Sequence, residues 1–249
     1  MDAVVARFLG FFVDNIPSWT TLLVGWPIGL AWSFGALWFS GILKRRGVRT
    51  GYTRKVFHFC IFSTVALLQW KAGTSAVCLF GGTCTVAVFY AIWKGTGHIL
   101  YEAMAREKDE PHRTFFILIP YFTTVAGGLF SAMVFGPVAI AGYLVAGLGD
   151  AIGEPIGTRF GKHQYRVRSL SSVPATRSIE GSAAVFIMSY AALVLAAILS
   201  PQISPGHGAV LKFGLVAAAS ALAEALSPHG WDNATMQVVP SAMVWGWMT

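Results

Sequence analysis

Apolar runs of about 17–25 residues follow one another along almost the whole chain, and a run of that length is what a helix needs to cross a bilayer. They lie at about 17–43, 54–70, 73–93, 114–130, 132–158, 181–200, 208–227 and 234–248. A tight connection near 128–132 suggests that the fourth and fifth form a close hairpin. Composition agrees: 55% of the residues are apolar and only 12% charged, and the mean hydropathy is +0.61. The expected fold is an all-α, polytopic helical bundle of about seven to eight transmembrane helices, with residues 1–249 as one domain and no linker or internal repeat. The first residues lack the basic stretch and cleavage site of a signal peptide, so the first span is expected to be retained.

The net charge of +7 does not point to nucleic acid, because the basic residues sit between the apolar runs. With the amino terminus outside, fifteen of the eighteen Lys and Arg fall on one side, and only Arg7, Lys71 and Lys212 fall elsewhere. That side is expected to be cytoplasmic. Cys60, Cys78 and Cys84 lie in apolar stretches without metal-ligand spacing and are expected to be packing residues.

Four clusters could carry chemistry. Arg54, Lys55 and His58 open the second span, with Lys55 and His58 on one helical face where they can hold phosphate or simply meet headgroups. Gly149, Gly153, Gly157 and Gly161 recur every fourth residue, a spacing that suits close approach of a facing helix or of a phosphate. Asp150 and Glu154, also four apart, gain nothing from packing; acids at membrane depth mark function, and a carboxylate pair can bind Mg²⁺. Pro155 is expected to kink the helix beside them. A basic loop from Lys162 leads to Arg177, Ser178, Glu180, Gly181 and Ser182, a set that suits either helix capping or a polyphosphate cradle. Last come Glu224 and the Asp232-Asn233 turn, which either caps a helix or adds polar ligands. The mixed charges of 102–113 read as a solvated face.

Arg54-Lys55-Val-Phe-His58, Gly149-Asp150 with Gly157 and Gly161, Arg177-Ser178-Ile-Glu180-Gly181-Ser182 and Asp232-Asn233 together resemble, in order, the motifs of the polyprenol kinase family. That family includes phytol, dolichol and CTP-dependent diacylglycerol kinases and is distantly related to phosphatidate cytidylyltransferases. The resemblance covers roughly residues 50–240, with Arg177 where relatives carry lysine. It implies transfer of the γ-phosphate of CTP, or another nucleoside triphosphate, to a lipid alcohol of the isoprenoid type. It also implies Mg²⁺ on Asp150, Glu154 or Asp232, and phosphate contacts from Arg54, Lys55 and Lys162. Asp150 or His58 would take the hydroxyl proton. The setting would be a lipid bilayer, most simply a bacterial inner membrane with the site facing the cytoplasm. A CDP-lipid-forming nucleotidyltransferase, a transporter with Asp150 and Glu154 lining an ion path, and a non-catalytic scaffold are the competing readings.

Overall fold

A computed structural model describes residues 2–169 and 175–249. The chain is helical: α1 (Asp2–Asp14), α2 (Trp19–Arg45), α3 (Thr50–Lys94), α4 (Ile99–Glu102), α5 (Phe115–Phe135), α6 (Ile140–Leu144), α7 (Ala151–Phe160), α8 (Ile179–Leu199), α9 (Ala209–Leu226) and α10 (Asp232–Met248). Short 3₁₀ turns cover Glu107–Asp109 and Gly136–Ala139, and a π-helical segment, Val145–Asp150, joins α6 to α7.

Five of these helices or continuous helical runs are long and apolar enough to cross a membrane: Trp19–Arg45, Thr50–Lys94, Phe115–Phe160, Ile179–Leu199 and Ala209–Leu226. The sequence suggests more because two of the runs, of 45 and 46 residues, each hold two of the expected spans. The 17-residue α10 falls just short. Both long runs fold back on themselves. In α3 the break is Gly73, with φ 77° and ψ −174°. Phe57 shares an apolar cluster with Val88 and Ala91, whereas a straight helix would hold Phe57 and Val88 roughly 46 Å apart. The second reversal comes at Gly136, φ 55°, not at 128–132, and the Tyr143 hydroxyl then donates to the Gly128 carbonyl at 3.1 Å.

Two packed cores result. One gathers Phe62, Ala66, Tyr143, Val185, Leu193, Val216, Met236 and Val244, from α3, α6 and α8 to α10. The other joins α2, both halves of α3, α4 and the start of α5 through Leu37, Phe57, Val88, Tyr101 and Ile117. The outward faces are apolar too: Trp19 is 80% exposed and Ile198 73%, as expected of helices whose solvent is lipid. Small residues set the helix contacts. A Cβ on Gly29 would meet Thr83 at 3.0 Å, and one on Gly41 would meet the Ile99 carbonyl at 2.6 Å.

Three local features depart from expectation. The helix α1 precedes the first expected span. The basic stretch after α7 is not wholly loop, because Gln164–Val167 (β1) pairs antiparallel with Ala175–Ser178 (β2); its residues 170–174 lie outside those described. The irregularity near Pro155 is the π-helical segment that ends at Asp150, upstream of the proline. Such segments alter the i→i−4 ladder and recur at functional sites.

Gly73 has the φ > 0, extended-ψ geometry that only glycine adopts readily, so Gly73→Ala should destabilise the fold by roughly 1–3 kcal/mol. Gly81→Ala, in the following helix with nothing within 4 Å of its Cβ, should change stability little. Thermal unfolding of the two variants in detergent checks this difference.

Candidate active site

The α3 amino terminus and the π segment meet at one buried ion pair. Lys55 Nζ lies 2.6 Å from Asp150 Oδ2, with both residues under a tenth exposed. One turn on, His58 Nε2 contacts the Ala146 carbonyl at 2.9 Å and stands 3.5 Å from the same Asp150 oxygen. The i, i+3 spacing of Lys55 and His58 thus delivers both to Asp150. The i, i+4 spacing of the acids places Glu154 one turn along, where Arg54 Nη2 meets its Oε2 at 3.0 Å.

Glu154 is more tightly held than the sequence implies. Arg106 Nη1 reaches its Oε1 at 3.0 Å, and Lys108 Nζ lies 3.5 Å from that oxygen. Arg106 also grips Asp109 with two nitrogens, at 2.8 and 3.2 Å. Arg106 is 3% and Asp109 2% exposed, which corrects the reading of 102–113 as a solvated face at these two residues, while Glu107, Lys108 and Glu110 are exposed as expected. The Arg106 Nη2 approaches His229 Nε2 at 2.5 Å, a contact that needs an unprotonated ring nitrogen. Burial and the Arg106 charge hold this imidazole below its ordinary range, against the opposing pull of Asp109.

A further cation, Arg177 on β2, bridges the last two helices. Its Nε lies 2.7 Å from Glu224 Oε1 and its Nη2 2.9 Å from Asp232 Oδ2. Its Nη1 donates to the Glu224 carbonyl and, at 3.0 Å, to the Ser227 carbonyl. Oxygens of Asp150, Glu224 and Asp232 all lie within 4.8 Å of one another. The carboxylate trio that could hold a hard cation is therefore Asp150, Glu224 and Asp232. Glu154, expected as a ligand, is instead committed to Arg54, Arg106 and Lys108.

The glycine stripe faces protein. A Cβ on Gly149 would meet Ser189 Oγ at 2.7 Å, one on Gly153 would meet Val185 Cγ2 at 2.7 Å, and one on Gly157 would meet Ser178 Oγ at 2.9 Å. A Cβ on Gly161 would meet Ser178 Oγ at 2.7 Å, and one on Gly181 the Gly153 carbonyl at 2.9 Å. Close packing of α7 on α8 accounts for the repeat, although Gly153, Gly157 and Gly181 also reach the cavity wall. Ser178 caps α8 by accepting from the Gly181 N–H at 3.1 Å, and Ser182 is bonded to Tyr165 at 2.7 Å. Lys162 is exposed and Glu180 pairs with His163 at 2.8 Å; neither borders the cavity.

Two cavities converge here. A polar one of about 270 Å³ is walled by the charged groups above. Arg54, Lys55, Arg106, Lys108 and Arg177 line it, and so do Asp109, Asp150, Glu154, Glu224 and Asp232. The formal charges cancel, so it accommodates a polyanion only when a further cation neutralises carboxylates. An apolar slot of about 360 Å³ runs along the seam between the two cores, past Phe57, Phe62, Val65, Cys78, Cys84 and Tyr143. Its α5 wall extends from Phe116 to Ala132, ~24 Å of helix against a hydrocarbon core of ~30 Å. Arg54, Lys55, Asp150 and Asp232 line both cavities. Asn233, expected at the polar site, lines the slot, where its Nδ2 donates to the Pro120 carbonyl and to Thr124 Oγ1 at 3.1 and 2.8 Å.

From the sequence, Arg106 and Asp109 look like part of a solvated face, and His229 and Glu224 fall in the last cluster without a role. A lone acid in the apolar run of α9 was the available signal for Glu224.

Removing Arg106 leaves Glu154 and Asp109 short of their main cation, and stranding buried charge costs about 3–5 kcal/mol. Arg106→Ala should therefore lower the unfolding midpoint sharply. Lys44→Ala, which removes the exposed Lys44–Glu107 pair, should cost less than about 1 kcal/mol. Parallel melting curves check the contrast.

Comparison with protein-family models, with curated proteins and with solved structures gave no match.

Proposed function

We propose that this chain is an integral membrane lipid kinase that moves the γ-phosphate of CTP, or another nucleoside triphosphate, onto an isoprenoid alcohol. One observation carries the reading: the polar cavity and the apolar slot share Arg54, Lys55, Asp150 and Asp232 as walls. Phosphoryl transfer to a lipid needs an aqueous donor and a greasy acceptor to meet, with little covalent help from the protein. The choice of CTP and of an isoprenoid acceptor rests on the motif resemblance. The concentration of Lys and Arg on one side supports a site at the cytoplasmic face, most simply of a bacterial inner membrane.

The donor's phosphates lie in the polar cavity. Asp150, Glu224 and Asp232 offer hard oxygen donors of the kind Mg²⁺ takes, and the ion would supply the charge neutralisation that a balanced cavity lacks. With those carboxylates occupied, Lys55 and Arg177 are free to turn to phosphate oxygens, and Arg54 lies beside them. Asp150, within reach of both cavities, accepts the hydroxyl proton. His58 is less suited, since its Nε2 is engaged by the Ala146 carbonyl. Against an ion path, the titratable side chains lining the slot, Arg54, Lys55, His58, Asp150 and Asp232, belong to its polar end, with only the two cysteines and two tyrosines elsewhere along it.

Purified protein given γ-labelled CTP or ATP, Mg²⁺ and a panel of isoprenoid alcohols and diacylglycerol should place label in a lipid phosphate. Asp150→Asn, whose amide oxygen can still accept from Lys55, should reduce that transfer at least about 100-fold per molecule of folded protein recovered. Release of pyrophosphate from CTP with phosphatidate, and no labelled lipid, would instead make the chain a cytidylyltransferase.

A further inference from the structure

Just inside the apolar slot stands a buried amide that the phosphoryl-transfer chemistry does not use. Gln237, on α10, is 1% exposed and lines the slot. Its Nε2 donates to the Thr124 carbonyl at 3.1 Å and to the Asn233 carbonyl at 2.7 Å. Both partners are obligate acceptors, so the nitrogen and oxygen of this amide cannot be exchanged. Among the described residues no hydrogen bond reaches Oε1. That oxygen sits over Gly128, whose missing side chain leaves the space open: a Cβ there would lie 3.1 Å from it. Gln237 follows Asp232 by ~7.5 Å of helix rise, just inside the slot from the polar end.

A buried carbonyl oxygen without a donor is costly, and a hydrocarbon tail offers it nothing. Ester carbonyls are acceptors themselves and leave it unsatisfied. A hydroxyl supplies the missing donor and keeps its own lone pairs free. We propose that Gln237 Oε1 is the hydroxyl-docking group of the acceptor slot, selecting a long-chain primary alcohol over lipids that present ester carbonyls at that depth. This rests on the reading of the slot as the acceptor's channel. Gln237 is a specificity determinant, one position short of Asp150 on the hydroxyl's path.

The test is binding, independent of phosphate transfer. A tritiated C20 primary alcohol bound to the full chain in nanodiscs is displaced by unlabelled alcohol, by its methyl ether, by its acetate ester and by the alkane of equal length. For the unaltered chain the alcohol should compete roughly tenfold better than the ether, the value of one satisfied hydrogen bond in a site that punishes its loss. Gln237→Met should bring that ratio close to one with alkane competition unchanged. Gly128→Ala sets a methyl group 3.1 Å from Oε1, closing the approach to it, and should do the same, so it decides the matter if Gln237→Met fails to fold. Equal competition by alcohol and ether in the unaltered chain, or a preference that survives Gly128→Ala, would overturn the proposal. A preserved alcohol preference in a chain that transfers no phosphate would refute the kinase reading and leave this one standing.

Discussion

The Lys55–Asp150 pair is the contact on which the rest of this architecture turns. An ammonium and a carboxylate under a tenth exposed are tolerable only in each other's company, because either one stranded at membrane depth costs several kcal/mol. Their pairing at 2.6 Å fixes the start of α3 against the end of the π-helical segment. The same logic is repeated around the cavity. Arg54 and Arg106 hold Glu154 from two different elements, and Arg177 ties β2 to α9 and α10 through Glu224 and Asp232. These pairs need not add net stability over an apolar packing; what they supply is registry, since each buried charge has to meet its partners.

Small residues make that registry possible. Glycines at 149, 153 and 157 let α7 lie directly on α8, which brings the Ser178 cap and Arg177 to the rim of the cavity. The π segment ends at Asp150 and places its carboxylate where the seam between the two cores opens. A polar cavity and an apolar slot thus share one wall. On the proposed function, charge balance within the polar cavity means that the carboxylates would oppose a polyanion until a cation satisfied them, so donor and cation would bind together.

Much of this was legible in the sequence, for physical reasons. The positions of the spans follow from apolar run length, and the meeting of Lys55, His58 and Asp150 follows from helical spacing in two segments with unusual charge. The helical spacing of the acids was sound, yet their fates diverged, because the partners that separate them, Arg106 and Lys108, lie in a connection whose mixed charges look like any solvated surface. Glu224 replaced Glu154 in the carboxylate trio through a contact between α9, α10 and β2 that no local pattern encodes. The strands Gln164–Val167 and Ala175–Ser178 are too short and too basic to announce themselves. Nothing in the sequence singles out Gln237; only the neighbouring Thr124 carbonyl and Gly128 show which way its oxygen faces.

The central claim is that a lipid lies in the seam with its polar end at Lys55 and Asp150. Photocrosslinking tests it most directly, with two C20 alcohols carrying a diazirine either beside the hydroxyl or at the far end of the chain. The account predicts that the first labels peptides containing Lys55–His58, Asp150 or Gln237, and the second those containing Val77–Gly82 or Leu129–Ala132, which line the remainder of the slot. Reversed labelling, or labelling spread over outward residues such as Trp19 and Ile198, would contradict it.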